Sequence, residues 1–246
     1  MSSLLEITDR LRQELDALSF SSPAAYVYNP LDYAREPHEQ YLRRYGQGGR
    51  EAVFLGMNPG PWGMAQTGVP FGEVAAVRDW LKIEAPVQKP PREHPRKMVT
   101  GFSCHRSEVS GRRLWGLIRD RFGSPELFFG RFFVVNYCPL LFLDGEGRNV
   151  TPERLRPVER RELGEVCDTA LRRMMECIRP ACIVGIGNFA AEQARTALEG
   201  EPIRIVKILH PSPSNPEANR CWSERVLMQL GEAGIDFPGR LETHAQ

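Results

Sequence analysis

Four short apolar runs constrain the fold of this chain: Ala52–Met57, Phe132–Asn136, Ala181–Gly185 and Ile203–Leu209. Each is too short for a helix, and as a set they read as strands covered on both faces. Helical patterns lie between them: Ser107–Phe122 before the second run, Val158–Ile178 before the third and Phe189–Leu198 after it. Strands that alternate with helices in this way predict a parallel α/β sheet layered between helices. Upstream, Leu4–Leu18 places Leu4, Ile7, Leu11, Leu15 and Leu18 on one helical face. Tyr26–Pro30 reads as extended, Pro37–Tyr45 as a second helix and Val74–Leu81 as a third. Ala85–Pro95 holds Pro86, Pro90, Pro91 and Pro95 and reads as a surface excursion, because core-like sequence resumes beyond it. No repeat, low-complexity tract or domain boundary interrupts the chain, so residues 1–246 are expected to form a single domain.

Composition narrows the partners. The chain is 41% hydrophobic and 26% charged with a net charge of +1, so any contact with nucleic acid must come from local patches. No apolar run approaches the roughly 20 residues that cross a bilayer, and the N-terminal helix is too charged for a signal peptide. No membrane partner is therefore expected. The six cysteines, at 104, 138, 167, 177, 182 and 221, form no CxxC pair, and most sit among apolar neighbours. They read as reduced core thiols rather than metal ligands, and the expected compartment is the cytoplasm, or the nucleus in a eukaryote.

The first strand opens Val53–Val74, VFLGMNPGPWGMAQTGVPFGEV, where an apolar run breaks at Asn58-Pro59-Gly60-Pro61 into a stiff loop carrying Phe71. Loops at strand ends are where open α/β sheets bind ligands. Three strand ends deliver polar side chains: Asn58, Asn136 and, inside HPSPSNPEAN, His210. In a parallel sheet all three rise from one edge. An Asn amide orients a water by accepting and donating, and a second one suits the polar edge of a uracil-like ring. Phe71 suits stacking on that ring, and His210 suits donation to an oxygen on which negative charge develops. Together they fit departure of an anionic base from a sugar, with water arriving second.

GMNPGPWGMAQTGVPFGEV and HPSPSNPEANRCW resemble the two signature stretches of the single-strand-selective monofunctional uracil-DNA glycosylases, within the uracil-DNA glycosylase superfamily. The likeness extends to Tyr28-Asn29-Pro30, Val77–Trp80, Ser107–Gly111, Val135–Leu140 and Gly147–Pro152, and spans roughly residues 25 to 235. The fold it implies is a three-layer α/β/α sandwich around a four-stranded, mainly parallel sheet. The activity it implies is hydrolysis of the N-glycosidic bond to uracil and to 5-oxidised uracils, without strand cleavage and without metal or cofactor, by a monomer. By resemblance Asn58 positions water and His210 stabilises the departing anion. Phe71 stacks under the base, Asn136 reads its edge, and backbone at Met57, Gly60 and Met64 lines the pocket. DNA, single-stranded or duplex, would lie against the start of the helix after His210, with Asn219 and Arg220, and against Glu146–Arg160, with Arg148. In a bacterium the enzyme would accompany the nucleoid.

One position departs from the family, which often has an arginine after His-Pro-Ser-Pro. Here Ser214 stands there, too short to fill the space an extruded base vacates. Arg220, or the pair Arg112 and Arg113, then become candidates for the wedge. A weak wedge predicts poorer action on paired duplex than on single strands.

Ordinary explanations exist for each residue singly: Asn58 as a turn residue, His210 as a loop histidine, Asn136 as a partner for buried backbone, Phe71 as core. His38, His94, His105 and His244 read as surface or structural. Lys89, Arg92, Arg96 and Lys97, like Arg154, Arg156, Arg160 and Arg161, read as solvated surface or as phosphate contacts. A rival reading is dinucleotide binding, because Gly185-Ile186-Gly187-Asn188-Phe189-Ala190 fits a loose G-x-G-x-x-A. That fingerprint needs an acid at the end of the next strand, and Lys207–His210 supplies none. A silent binder of damaged DNA remains a third reading.

Overall fold

The computed structural model describes residues 3–238; His244 lies outside them. The central sheet has four strands, β2 (Ala52–Gly56), β3 (Phe132–Asn136), β6 (Cys182–Ile186) and β7 (Arg204–Ile208), each close to its predicted run. Their order is β3-β2-β6-β7 and every neighbouring pair is parallel. Each residue of β2 and β6 is buried, as continuous apolar runs require, while β7 is more exposed along one edge.

Helices cover the sheet in two groups. α1 (Leu4–Asp16), α7 (Pro157–Ile178) and α8 (Asn188–Ala197) pack together, with α8 on β6 and β7. α5 (Val109–Phe122), α6 (Pro125–Phe129) and α9 (Pro216–Glu232) form the other group, with α6 on β3 and α9 on β7. The step from β2 to β3 runs one way along the sheet, and the steps to β6 and β7 run the other. Right-handed crossovers therefore place the two helix groups on opposite faces. The expected three-layer sandwich is what the chain forms.

Several details depart from the sequence reading. Tyr26–Tyr28 is β1, paired antiparallel with β4 (Leu141–Leu143), which in turn pairs with β5 (Asn149–Val150) in a small second sheet. Pro30–Tyr33 and Arg35–Tyr45 are α2 and α3, so the second helix starts earlier than predicted. Met64–Thr67 forms a single turn, α4, and Ala76–Trp80 is a π-helix rather than an α-helix. α1 stops at Asp16, capped at its start by a reciprocal Ser3–Glu6 box that local propensity favours. His38 and His94 are buried, and His38 Nδ1 contacts the Gly68 carbonyl at 2.7 Å. No helix among the described residues is long and apolar enough to cross a membrane.

Candidate active site

The ladder between β2 and β3 continues past both strands: the amide of Tyr137 donates to the Gly56 carbonyl and that of Cys138 to Met57, each at 2.9 Å. This fixes the departure of both loops, and so aims Asn58 and Asn136 from adjacent strand ends. At the far side, Trp222 Nε1 donates to the Leu209 carbonyl at 2.8 Å and Gln229 accepts from the Leu209 amide at 2.8 Å, pinning the end of β7 before His210. The three strand ends meet at one cavity of about 550 Å³, lined by Asn58, Asn136 and His210. Met57, Gly60, Met64, Phe71 and Ser214 line it as well. It lies at the carboxyl ends of the strands, where chain direction along the sheet reverses.

Asn58 Nδ2 donates to the Leu140 carbonyl at 3.2 Å, while its Oδ1 is buried without a partner among the described residues. Asn136 repeats the pattern: Nδ2 meets the Met64 sulfur at 3.3 Å, a weak acceptor, and Oδ1 is buried and unpartnered. A buried acceptor left without a hydrogen costs about 1–3 kcal/mol, so two of them beside one cavity mark where hydrogens arrive from a ligand or water.

His210 Nδ1 accepts from the Ser212 amide at 3.0 Å. That bond assigns the ring proton to Nε2, so the neutral imidazole keeps a donor for the cavity. Burial pushes its pKa down to about 4, which holds the ring neutral at ordinary pH. The Gly187 φ of +89° requires glycine, and a Cβ there would stand 3.1 Å from the Cβ of His210. Gly185 packs so tightly on α8 that a Cβ would lie 2.6 Å from Ala191 Cα. Both glycines of the loose dinucleotide fingerprint thus have packing roles.

Phe71 is buried with φ of +54°, a left-handed conformation that costs a non-glycine residue roughly 1 kcal/mol. Trp115 Nε1 donates to the Pro70 carbonyl at 3.2 Å and Thr67 Oγ1 to Gly72 at 2.8 Å, holding the turn in place. The phenyl ring lies against Gly56, where a Cβ would come within 2.5 Å of Cε2.

Sequence reasoning missed Glu108 as part of the site. It occupies the N-cap of α5, yet its side chain makes no capping hydrogen bond. The residue is half-buried, but Oε2 is sealed against Gly60 and Gly63 without a hydrogen-bond partner among the described residues, and a Cβ on Gly60 would lie 2.6 Å from it. Burial raises its pKa to about 7, and Glu73 adds to the rise; the amides of Gly63 and Trp62 oppose it. Only its place in the Ser107–Gly111 motif pointed here.

The remaining DNA-side residues divide. Ser214 lines the cavity, its hydroxyl 2.7 Å from that of Ser212. Arg113, a candidate wedge, is instead a tether: Nη1 donates to the Pro211 carbonyl at 2.8 Å and Nη2 to Asn219 Oδ1 at 2.9 Å. Asn219 closes the clamp by donating to the Pro213 carbonyl at 2.8 Å. Arg112 lies in a separate groove with Glu73, Asp79 and Trp80. Arg148 is exposed and held by Asp144 at 2.7 Å and Glu146 at 3.1 Å, so much of its charge is spoken for. Arg220 is exposed on the first turns of α9, next to a break at Cys221.

The profile of the Uracil DNA glycosylase superfamily matches residues 44–230. This chain belongs to the uracil DNA glycosylase superfamily. It is 49% identical over 233 residues to the mouse (Mus musculus) single-strand selective monofunctional uracil DNA glycosylase, covering 94% of this chain and 84% of that one. The Bos taurus protein of the same description is 49% identical over 228 residues, covering 92% and 84%. The crystal structure of wild-type Pedobacter heparinus SMUG2 superposes with a TM-score of 0.65 at 17% identity, covering 94% of this chain and 99% of that one, and supports the fold. In this chain the two asparagines and the neutral histidine line one cavity at the carboxyl ends of the strands.

Proposed function

We propose that this protein hydrolyses the N-glycosidic bond of uracil in DNA, initiating base excision repair. It also takes 5-oxidised uracils such as 5-hydroxymethyluracil, works on single strands and on duplex, and acts as a monomer without metal or cofactor. The observation that carries the proposal is the pair of partnerless buried oxygens, Asn58 Oδ1 and Asn136 Oδ1, at one cavity with a histidine kept neutral.

An extruded uracil stacks on Phe71. Its N3–H supplies the hydrogen that Asn136 Oδ1 lacks, and the Asn136 amide group donates to O4 in place of the weak sulfur contact. As the bond to the sugar breaks, electrons pass to the base, and His210 Nε2–H donates to the oxygen that gains charge. A neutral donor suits this task because it need not give up its proton. Asn58 Oδ1 accepts from a water, whose oxygen attacks the sugar carbon as the base leaves. The proton of that water is lost to solvent or base, and an abasic site remains with the strand intact. Thymine is excluded where Gly60–Met64 approach C5, because a methyl group there meets backbone.

Incubation with a uracil-containing single-stranded oligonucleotide followed by hot alkali tests the proposal. Strand breaks at uracil only after alkali are expected. An unbroken strand rules out the glycosylase, and breaks before alkali rule out a monofunctional enzyme.

A further inference from the structure

Trp62 is half-exposed and forms part of the cavity wall. Two cations lie against its indole: Lys97 Nζ is 4.7 Å from the ring centre and Arg106 Cζ 4.8 Å. They come from different segments, one from the stretch that follows the proline-rich excursion and one from just before α5. Among the described residues neither forms an ion pair, and neither does Arg96. The carboxylate of Glu93 is engaged by Lys89 and the Val99 amide instead.

This gathering is unfavourable for the protein alone. Lys97 is pushed below its ordinary pKa, first by partial burial and then by Arg106 and Arg96. Attraction to the indole face offsets part of that. Repulsion between unpaired like charges remains, and an arriving anion relieves it. Two of the other cations that sequence nominated for DNA are committed elsewhere: Arg113 to the loop after His210, Arg148 to two carboxylates.

We propose that Trp62, Lys97 and Arg106 form a binding site for backbone phosphate of the strand flanking the extruded nucleotide, at the mouth of the base pocket. The assignment deepens the proposed glycosylase function and rests on it for the identity of the strand. Trp62 holds the two cations in place, so little side-chain freedom is lost when the phosphate binds.

The test measures binding of a uracil-free single-stranded oligonucleotide by anisotropy across a salt series, and excision of uracil separately. For Lys97→Gln/Arg106→Gln, the expected slope of log affinity against log salt falls by about 1.4, roughly 0.7 per lost phosphate contact. Affinity at low salt drops about tenfold, while excision at saturating strand stays near wild type. Lys97→Arg/Arg106→Lys restores both. Arg179→Gln, at the opposite edge of the sheet just before β6, leaves both unchanged. If the double variant melts early, Arg106→Gln alone, at an exposed position, is expected to lose about 0.7 of slope. An unchanged slope and affinity overturn the site, even if the wild type excises uracil. A wild type that binds with the expected slopes but releases no uracil overturns the glycosylase function and leaves the phosphate site standing.

Discussion

Gly56 and Asn136 are register partners across β2 and β3, and a methyl group on Gly56 would collide with Asn136 Oδ1 and reach within 2.5 Å of the Phe71 ring. The Asn136 amide, proposed to read the base, and the Phe71 ring, proposed to stack on it, therefore share the space left by one missing side chain. Gly56→Ala is expected to fold, because one of two cavity-facing side chains can yield, at a cost of about 1–3 kcal/mol. Uracil excision is expected to fall by about two orders of magnitude, the scale of losing an oriented contact. A melting curve beside a single-turnover assay reads both. A variant as fast as wild type would mean that Asn136 does not read the base.

The loop that carries His210 is held from α5. Arg113 donates to Pro211 and to Asn219, and Asn219 returns to Pro213. Arg113→Ala removes two bonds worth roughly 1 kcal/mol each and loosens the donor. Excision at saturation is expected to drop about tenfold, whereas Arg112→Ala changes it little. Equal effects of the two substitutions contradict the tether.

Two groups at the cavity titrate away from their usual ranges, and they predict a distinctive pH profile. His210, with a pKa of about 4, stays a neutral donor down to that pH, so no acid limb is expected near 6.5. Glu108 is neutral below about 7 and gains a buried charge above it. The amides of Trp62 and Gly63 ease that charge and Glu73 opposes it, and no lysine or arginine among the described residues pairs with it. Excision is expected to decline as pH rises through about 7, and Glu108→Gln is expected to remove the decline. Stability follows the same sign: the unfolded carboxyl ionises near 4.5 and the folded one near 7, so the folded state holds the extra proton and loses stability as pH rises between them. A rate profile identical in wild type and Glu108→Gln disposes of this role.

Ser214 faces the cavity with its hydroxyl bound to Ser212, and offers no side chain long enough to fill a vacated base stack. Excision from a U:A duplex is expected to be slower than from the same strand alone, since extrusion costs a few kcal/mol. Ser214→Arg is expected to narrow the gap by raising the duplex rate. Equal wild-type rates on both substrates remove the argument.

The sheet was legible because β2, β3 and β6 are nearly unbroken apolar runs, and parallel order then forces Asn58, Asn136 and His210 to one edge. What stayed hidden depends on contacts distant in sequence. Glu108 reads locally as a helix start, and its placement against Gly60 and Gly63 exists only once the loop after β2 has folded over α5. Arg113 is a cation on a helix until a loop 98 residues away supplies its partner. β4 and β5, of three and two residues, are too short to carry a period, and β4 follows directly on an apolar stretch that masks its start.

Asn58 and His210 are proposed to act on the bond and not on DNA binding. Single-turnover excision of uracil from one single-stranded oligonucleotide, measured for wild type, Asn58→Ala and His210→Ala with binding followed by anisotropy, tests it most directly. Each variant is expected to lose roughly 10²–10³ in rate, as for a lost oxyanion donor, with affinity within a few-fold of wild type. Excision by either variant at the wild-type rate would contradict the account.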